Sequence, residues 1–175
     1  MSISADHFKY VVFKNPNWDY KTLDFDRDVA LADEIDNGAI NATDPNLTAF
    51  FGRGGRILLY HGWNDPLIAP RNSINYYTSV VKTFGGAEKV ANSIRLFMVP
   101  GMNHCAGGDG TSSFDGLAAL EQWVEQKKAP EQILGSHFTG KAVDRTRPLC
   151  PYPQMAKYKG TGNTDDAPNF VCKAP

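Results

Sequence analysis

Two short stretches hold the side chains able to do chemistry. HGWNDPLIAP, from His61 to Pro70, supplies a carboxylate, Asp65, and a histidine, His61. VPGMNHCAGG, from Val99 to Gly108, sets His104 directly beside Cys105 among glycines. A histidine in such a place can carry a proton, ligate a metal or sit in a turn. A carboxylate followed along the chain by a histidine can form the acid–base half of a nucleophile–acid–base triad. The carboxylate fixes the imidazole tautomer and stabilises its cation, and the imidazole takes the proton from the nucleophile. The plain alternative is that Asp65-Pro66 only opens a turn. A metal set of His61, Asp65 and His104 is the weaker reading, because no HxH, HExxH or CxxC spacing accompanies it.

The elements around these stretches decide whether Asp65 and His104 can meet. RILLYHG is a short apolar run bounded by glycines and suits a buried strand. In APRNSINYYTSVVKTFG, Ile74, Tyr77, Val80, Val81 and Phe84 recur at helical steps, and Gly85-Gly86 supplies the stop. SIRLFMVPG reads as a second strand. SSFDGLAALEQWVEQKKAP reads as a second helix, with Leu117, Leu120, Trp123 and Val124 on one face and Lys127 and Lys128 in its last turn. Ser112 and Ser113 stand at its start, where capping is the expected role. The order strand–helix–strand–helix implies a parallel pair. Both chemical stretches then follow the carboxyl ends of strands, where open α/β sheets carry their functional groups. In α/β-hydrolases the chain order is nucleophile, acid, histidine. One parallel pair with two helices cannot cover a parallel sheet on both faces. The expectation is therefore an α/β fold, the edge portion of a larger sheet whose other strands lie outside this chain.

The 175 residues carry a formal net charge of −1 and no basic cluster, which argues against nucleic acid or an anionic membrane surface as partner. No apolar run approaches the ~20 residues of a membrane helix. The opening MSISADHFKY has no basic and apolar regions of a signal peptide. FKYVVFKNPNWDY reads as a short helix or an ordered arm, and a short helix is expected near Asp26 to Asp36. The expected organisation is an N-terminal arm and connecting segment over 1–53, the α/β portion over 54–135 and an irregular tail over 136–175. Cys150 and Cys172 bracket a stretch of that tail rich in Pro, Gly, Asn and Asp. A disulfide closing it is expected on loop-stapling grounds, the alternative being two unrelated buried thiols. Cys105 is then the odd cysteine of three, which points to a partner elsewhere. The sequons at Asn41 and Asn46 fit an exported protein.

HGWNDPLIAP, LFMVPGMNHCAGG, FDGLAALEQWVEQKKAPEQI and RTRPLCPYPQMAKYKGTGNTDDAPNFVC together resemble successive blocks of the tannase and feruloyl esterase family, which are secreted carboxylic ester hydrolases. The resemblance implies an α/β fold, the C-terminal part of an α/β-hydrolase sheet, with Asp65 as triad acid and His104 as triad base. It implies that Cys105 is bridged to a cysteine just before the nucleophilic serine, and that Cys150–Cys172 is a family disulfide. The family's Gly-x-Cys-Ser-x-Gly turn is absent from this sequence, as is any Gly-x-Ser-x-Gly. The resemblance places that turn, and a lid domain with a calcium site, in an N-terminal part of the enzyme that would partner this chain through Cys105. Within the chain itself no cofactor and no metal are expected. The implied substrates are aromatic acid esters, galloyl or feruloyl. Trp63 and Phe114 flank the two loops and either touch such an acyl group or pack in the core. The resulting expectation is a secreted or periplasmic serine-type ester hydrolase, inactive as this chain alone. The competing expectation is a non-catalytic α/β piece with a structural or binding role.

Overall fold

The computed structural model describes residues 3–175. It divides into two compact units, Met1–Asp44 and Pro45–Pro175. In the first, helix α1 (Ile3–Asp6) runs into a π-helical stretch, His7–Val12, so the segment read as helix or arm is helical at its start and irregular from Phe13 to Asp19. Phe8 stacks on Trp18 with ring centroids 5.5 Å apart, and Phe13 completes the cluster. Helix α2 (Arg27–Asp36) lies where a helix was expected. Its Asp28, 1% exposed, accepts from the Asp24 amide at 3.0 Å and from Arg27 Nε at 2.8 Å. Asn37 ends the helix at φ 47°, a left-handed position asparagine tolerates.

The second unit is the α/β portion. It contains α3 (Thr48–Gly52), β1 (Ile57–Gly62), α4 (Arg71–Thr83), α5 (Ala87–Val90), β2 (Ile94–Val99) and α6 (Gly116–Gln126). Strands β1 and β2 pair in parallel, from Ile57 opposite Ile94 to Gly62 opposite Val99. Strand β2 is apolar almost throughout because both of its faces are covered. Ile94, Leu96 and Met98 pack on Ile74, Tyr77 and Val80 of α4. Phe97 and Val99 point the other way, onto Met102, Ile133 and Leu149, as the two-residue period of a strand requires.

The segment expected to be an irregular tail carries two antiparallel hairpins. These are β3 (Ile133–Thr139) with β4 (Ala142–Leu149), and β5 (Met155–Tyr158) with β6 (Phe170–Lys173). The first turns through Gly140 at φ 63° followed by Lys141, a two-residue loop of the kind that closes hairpins. Between the hairpins, Cys150–Tyr152 lies along β2, with Pro151 bridged to Phe97 and the Tyr152 amide donating to Leu96 O at 2.7 Å. Proline is tolerated there because this is an outer strand position. The disulfide Cys150–Cys172 is present, with Cα atoms 5.5 Å apart.

Helix α6 departs from its expected pattern at both ends and on its face. Asp115 caps it, its side chain accepting from the Ala118 amide at 2.8 Å. Ser113 instead exchanges backbone hydrogen bonds with Ser136 at 3.1 and 2.8 Å. Lys127 is the left-handed C-cap at φ 57° and not part of the last turn. Trp123 is buried, but Leu117 and Val124 are 67% and 55% exposed, so only part of the apolar face packs inward.

Candidate active site

The carboxyl ends of β1 and β2 are stitched together. The Trp63 amide donates to Val99 O and the Asn64 amide to Met102 O, both at 3.0 Å. A Cβ on Gly62 would stand against the carbonyl oxygens of Met102 and Asn103. Only glycine lets the backbone before His104 lie on the end of β1. The His104 loop closes on itself through Asn103 N–Gly107 O and Gly110 N–Gly101 O, both 3.1 Å. Within it Cys105 adopts φ 62°, a left-handed position unusual for its residue type.

These constraints bring Asp65 and His104, 39 residues apart, into contact: His104 Nδ1 lies 2.8 Å from Asp65 Oδ2. The other oxygen, Oδ1, accepts the Leu67 and Ile68 amides at 2.8 and 3.0 Å. This is an Asx turn around Pro66, so the turn reading of Asp-Pro and the carboxylate's contact with His104 hold at once. A fourth donor was not foreseen in this role. His61 Nε2 stands 3.0 Å from the same Oδ2. Side-chain exposure is 3% for Asp65, 11% for His61 and 44% for His104.

Electrostatics follow from that geometry. Burial pushes the Asp65 carboxyl up, but the hydrogen bonds from Ile68, His104, Leu67 and His61 outweigh it and hold the group below the usual carboxylate range. The carboxylate is therefore ionised and can only accept. His104 must donate from Nδ1, which leaves the Nε2 lone pair outward, without a hydrogen-bond partner among the described residues. That tautomer can take a proton from a nucleophile. A carboxyl whose folded pKa is depressed contributes stability above its unfolded pKa of ~3.9 and loses it as pH falls through the lower folded value. The stability difference between the wild-type protein and Asp65→Asn is thus expected to shrink below about pH 4. Denaturant titrations across acid pH check this, and a pH-independent difference would contradict the assigned hydrogen bonds.

The remaining expected site residues are distributed as follows. Trp63 is 46% exposed and lines a cavity of about 720 Å³ with Met98, Arg145, Arg147 and Tyr152, so it is not a core residue. Phe114 packs on the Phe97–Val99–Met102 cluster and meets Tyr60 edge-on at 5.1 Å. It also lines a hollow with Leu58, Tyr60 and Cys105. Cys105 is exposed and outside any disulfide of the described residues. Among the described residues no group of three or more His, Cys, Asp or Glu side chains is arranged to hold a metal. The two ring nitrogens facing Asp65 Oδ2 carry hydrogens, so neither offers a lone pair on that side. No helix of the described residues is long and apolar enough to cross a membrane.

Comparison with known proteins shows which sequences and folds this chain is similar to. The family model "Tannase and feruloyl esterase" matches residues 2–173. A mono(2-hydroxyethyl) terephthalate hydrolase of Piscinibacter sakaiensis is 47% identical over 77% of this chain and 22% of its own length. An uncharacterised esterase of Xanthomonas campestris pv. campestris is 39% identical over 97% of this chain and 36% of its own. The crystal structure of feruloyl esterase B from Aspergillus oryzae superposes with a TM-score of 0.84 at 34% identity, over 96% of this chain and 36% of that one. The chain thus spans about a third or less of the length of these relatives.

Proposed function

This chain belongs to the tannase and feruloyl esterase family, and from that premise we propose that it supplies the acid and base of a Ser-Asp-His triad hydrolysing esters of aromatic carboxylic acids. The observation that carries the reading is the 2.8 Å contact of His104 Nδ1 with a buried, ionised Asp65, with Nε2 turned outward. The serine belongs to the portion of its relatives that this chain does not span. As the serine Oγ attacks the ester carbonyl, His104 Nε2 takes its proton, and Asp65 stabilises the imidazolium. The proton passes to the leaving alkoxide, and an acyl-serine remains. Water then attacks the acyl group with His104 again accepting and returning a proton, which releases the acid and restores the serine.

Aromatic esters fit the surroundings. Half-exposed Trp63 stands two residues from Asp65, and Tyr60 and Phe114 form an edge-on pair beside Cys105. The relatives whose names state a substrate, a feruloyl esterase and a terephthalate monoester hydrolase, act on aromatic acyl groups. Exposed Cys105 pairs with a cysteine preceding the serine, tying the base to the nucleophile turn. The calcium ion belongs with the family's lid, and the protein is secreted or periplasmic.

The test is ester hydrolysis. The chain joined to the serine-bearing portion of the protein is expected to hydrolyse a feruloyl ester, and the chain alone to stay at the buffer blank. Hydrolysis by the chain alone would refute the division of the triad. Inactivity of the joined protein on feruloyl, galloyl and terephthaloyl esters would refute the reading as a whole.

A further inference from the structure

We propose that His61, oriented by Ser73, is a positioning residue that holds Asp65 Oδ2 toward His104. The proposal rests on reading Asp65 and His104 as the acid and base of the relay.

The four acceptor sites of the Asp65 carboxylate are all used. Oδ1 is pinned by two amides of its own turn. Oδ2 is shared by two imidazoles, His104 from the loop after β2 and His61 from strand β1. Of the two, His61 is the fixed one. It projects from a paired strand and is 11% exposed, against 44% for His104.

Its ring orientation is defined at both nitrogens. Nε2 faces only acceptors, Asp65 Oδ2 at 3.0 Å and Ile68 O at 3.2 Å, so it carries a hydrogen. Nδ1 meets Ser73 Oγ at 2.7 Å. Ser73 lies in the first turn of α4, and its hydroxyl, donating, completes a neutral ring. The chain Ser73–His61–Asp65–His104 therefore runs from the crossover helix through the strand to the proposed base. Without the His61 donor, the carboxylate keeps its two turn amides but loses the group that balances the pull of His104 on Oδ2. It can then rotate, and the imidazole with it.

A histidine that merely packed β1 against α4 would serve stability alone, and kinetics separate the two roles. In the serine-bearing protein, His61→Leu is expected to lower kcat on the order of 10- to 100-fold with KM held within about twofold. His61→Gln, whose amide N–H can stand where Nε2–H stood, is expected to recover kcat to within about threefold of wild type. Ser73→Ala should fall between them. In the same proteins, a carbon-13 titration of the Asp65 carboxyl should move to higher pH in His61→Leu and stay in place in His61→Gln, since one stabilising donor is lost only in the first.

An unchanged kcat in His61→Leu would overturn the proposal, as would equal losses in the Leu and Gln variants. If His61→Leu does not fold, Ser73→Ala decides: kcat unchanged from wild type overturns the proposal, and a reduced kcat at constant KM supports it. Should the wild-type protein hydrolyse no ester, the hydrolase reading fails. The Asp65 titration then still reports whether His61 holds the carboxylate.

Discussion

Asp65→Asn is expected to lower kcat for an aromatic ester about 10,000-fold in the serine-bearing protein, with KM little changed. Asparagine preserves the size of the side chain but has one acceptor oxygen where four donors converge. If that oxygen keeps the Leu67 and Ile68 amides, which build the turn, the amide NH₂ faces His104 and His61. His104 can then meet it only with an unprotonated Nδ1. The hydrogen moves to Nε2, the nitrogen that must be empty to take the serine proton. If the amide flips, the NH₂ faces two backbone N–H groups and the turn itself is disrupted. Either way the base is disabled while the surface around the ester is not. Steady-state kinetics with purified wild type and variant provide the measurement. A loss smaller than about tenfold would show that the carboxylate does not govern the tautomer of His104.

The pair Asp65 and His104 was legible because each follows an apolar run long enough to be a buried strand, and parallel strands deliver their carboxyl ends to one edge. RILLYHG and SIRLFMVPG needed no tertiary information to be read that way. His61 was not legible in its present role. It lies inside the strand pattern, and its meaning comes from Ser73 on the following helix and from a carboxylate four residues on, at 2.7 and 3.0 Å. In the sequence His61 entered only a metal set that no ligand spacing supported. The hairpins of the C-terminal segment were missed for a related reason. AVDRTRPL and MAKY have few apolar residues to alternate, and they pair through backbone hydrogen bonds that leave Met155 49% and Tyr158 41% exposed. The helix α6 pattern identified a face but not what covers it, hence exposed Leu117 and Val124. Its cap was misplaced because the boundary is set by backbone conformation. Asp115, at φ −94° and ψ 84°, is the residue that leaves the helix, and Ser112 and Ser113 lie beyond it.

Replacing Cys150 and Cys172 together by alanine is expected to destabilise the Pro45–Pro175 unit by about 3 kcal/mol, which for a unit of this size lowers the thermal midpoint by about 10 °C. The disulfide joins residues 22 apart in sequence, and closing a loop of that length removes conformational freedom mainly from the unfolded chain. The segment is otherwise held by polar contacts, the β5–β6 pairing, the bonds of Thr146 with Asp165 and Ala167 and Arg147 over the Phe170 ring, and the hairpin buries few apolar side chains. Its anchor end is well placed: Cys150 is 5% exposed and follows Leu149 in the core, and Pro151 and Tyr152 lie along β2. Loss of the bridge therefore loosens the outer neighbour of the strand whose end leads to His104. Thermal unfolding followed by circular dichroism measures the effect. Reductant added to the wild-type protein should reproduce most of the drop, whereas Cys105→Ala in the chain alone should not, because Cys105 is exposed and lies outside the closed loop. A midpoint shift below about 2 °C in the double variant would mean that the strand pairings, and not the covalent closure, hold the C-terminal segment against β2.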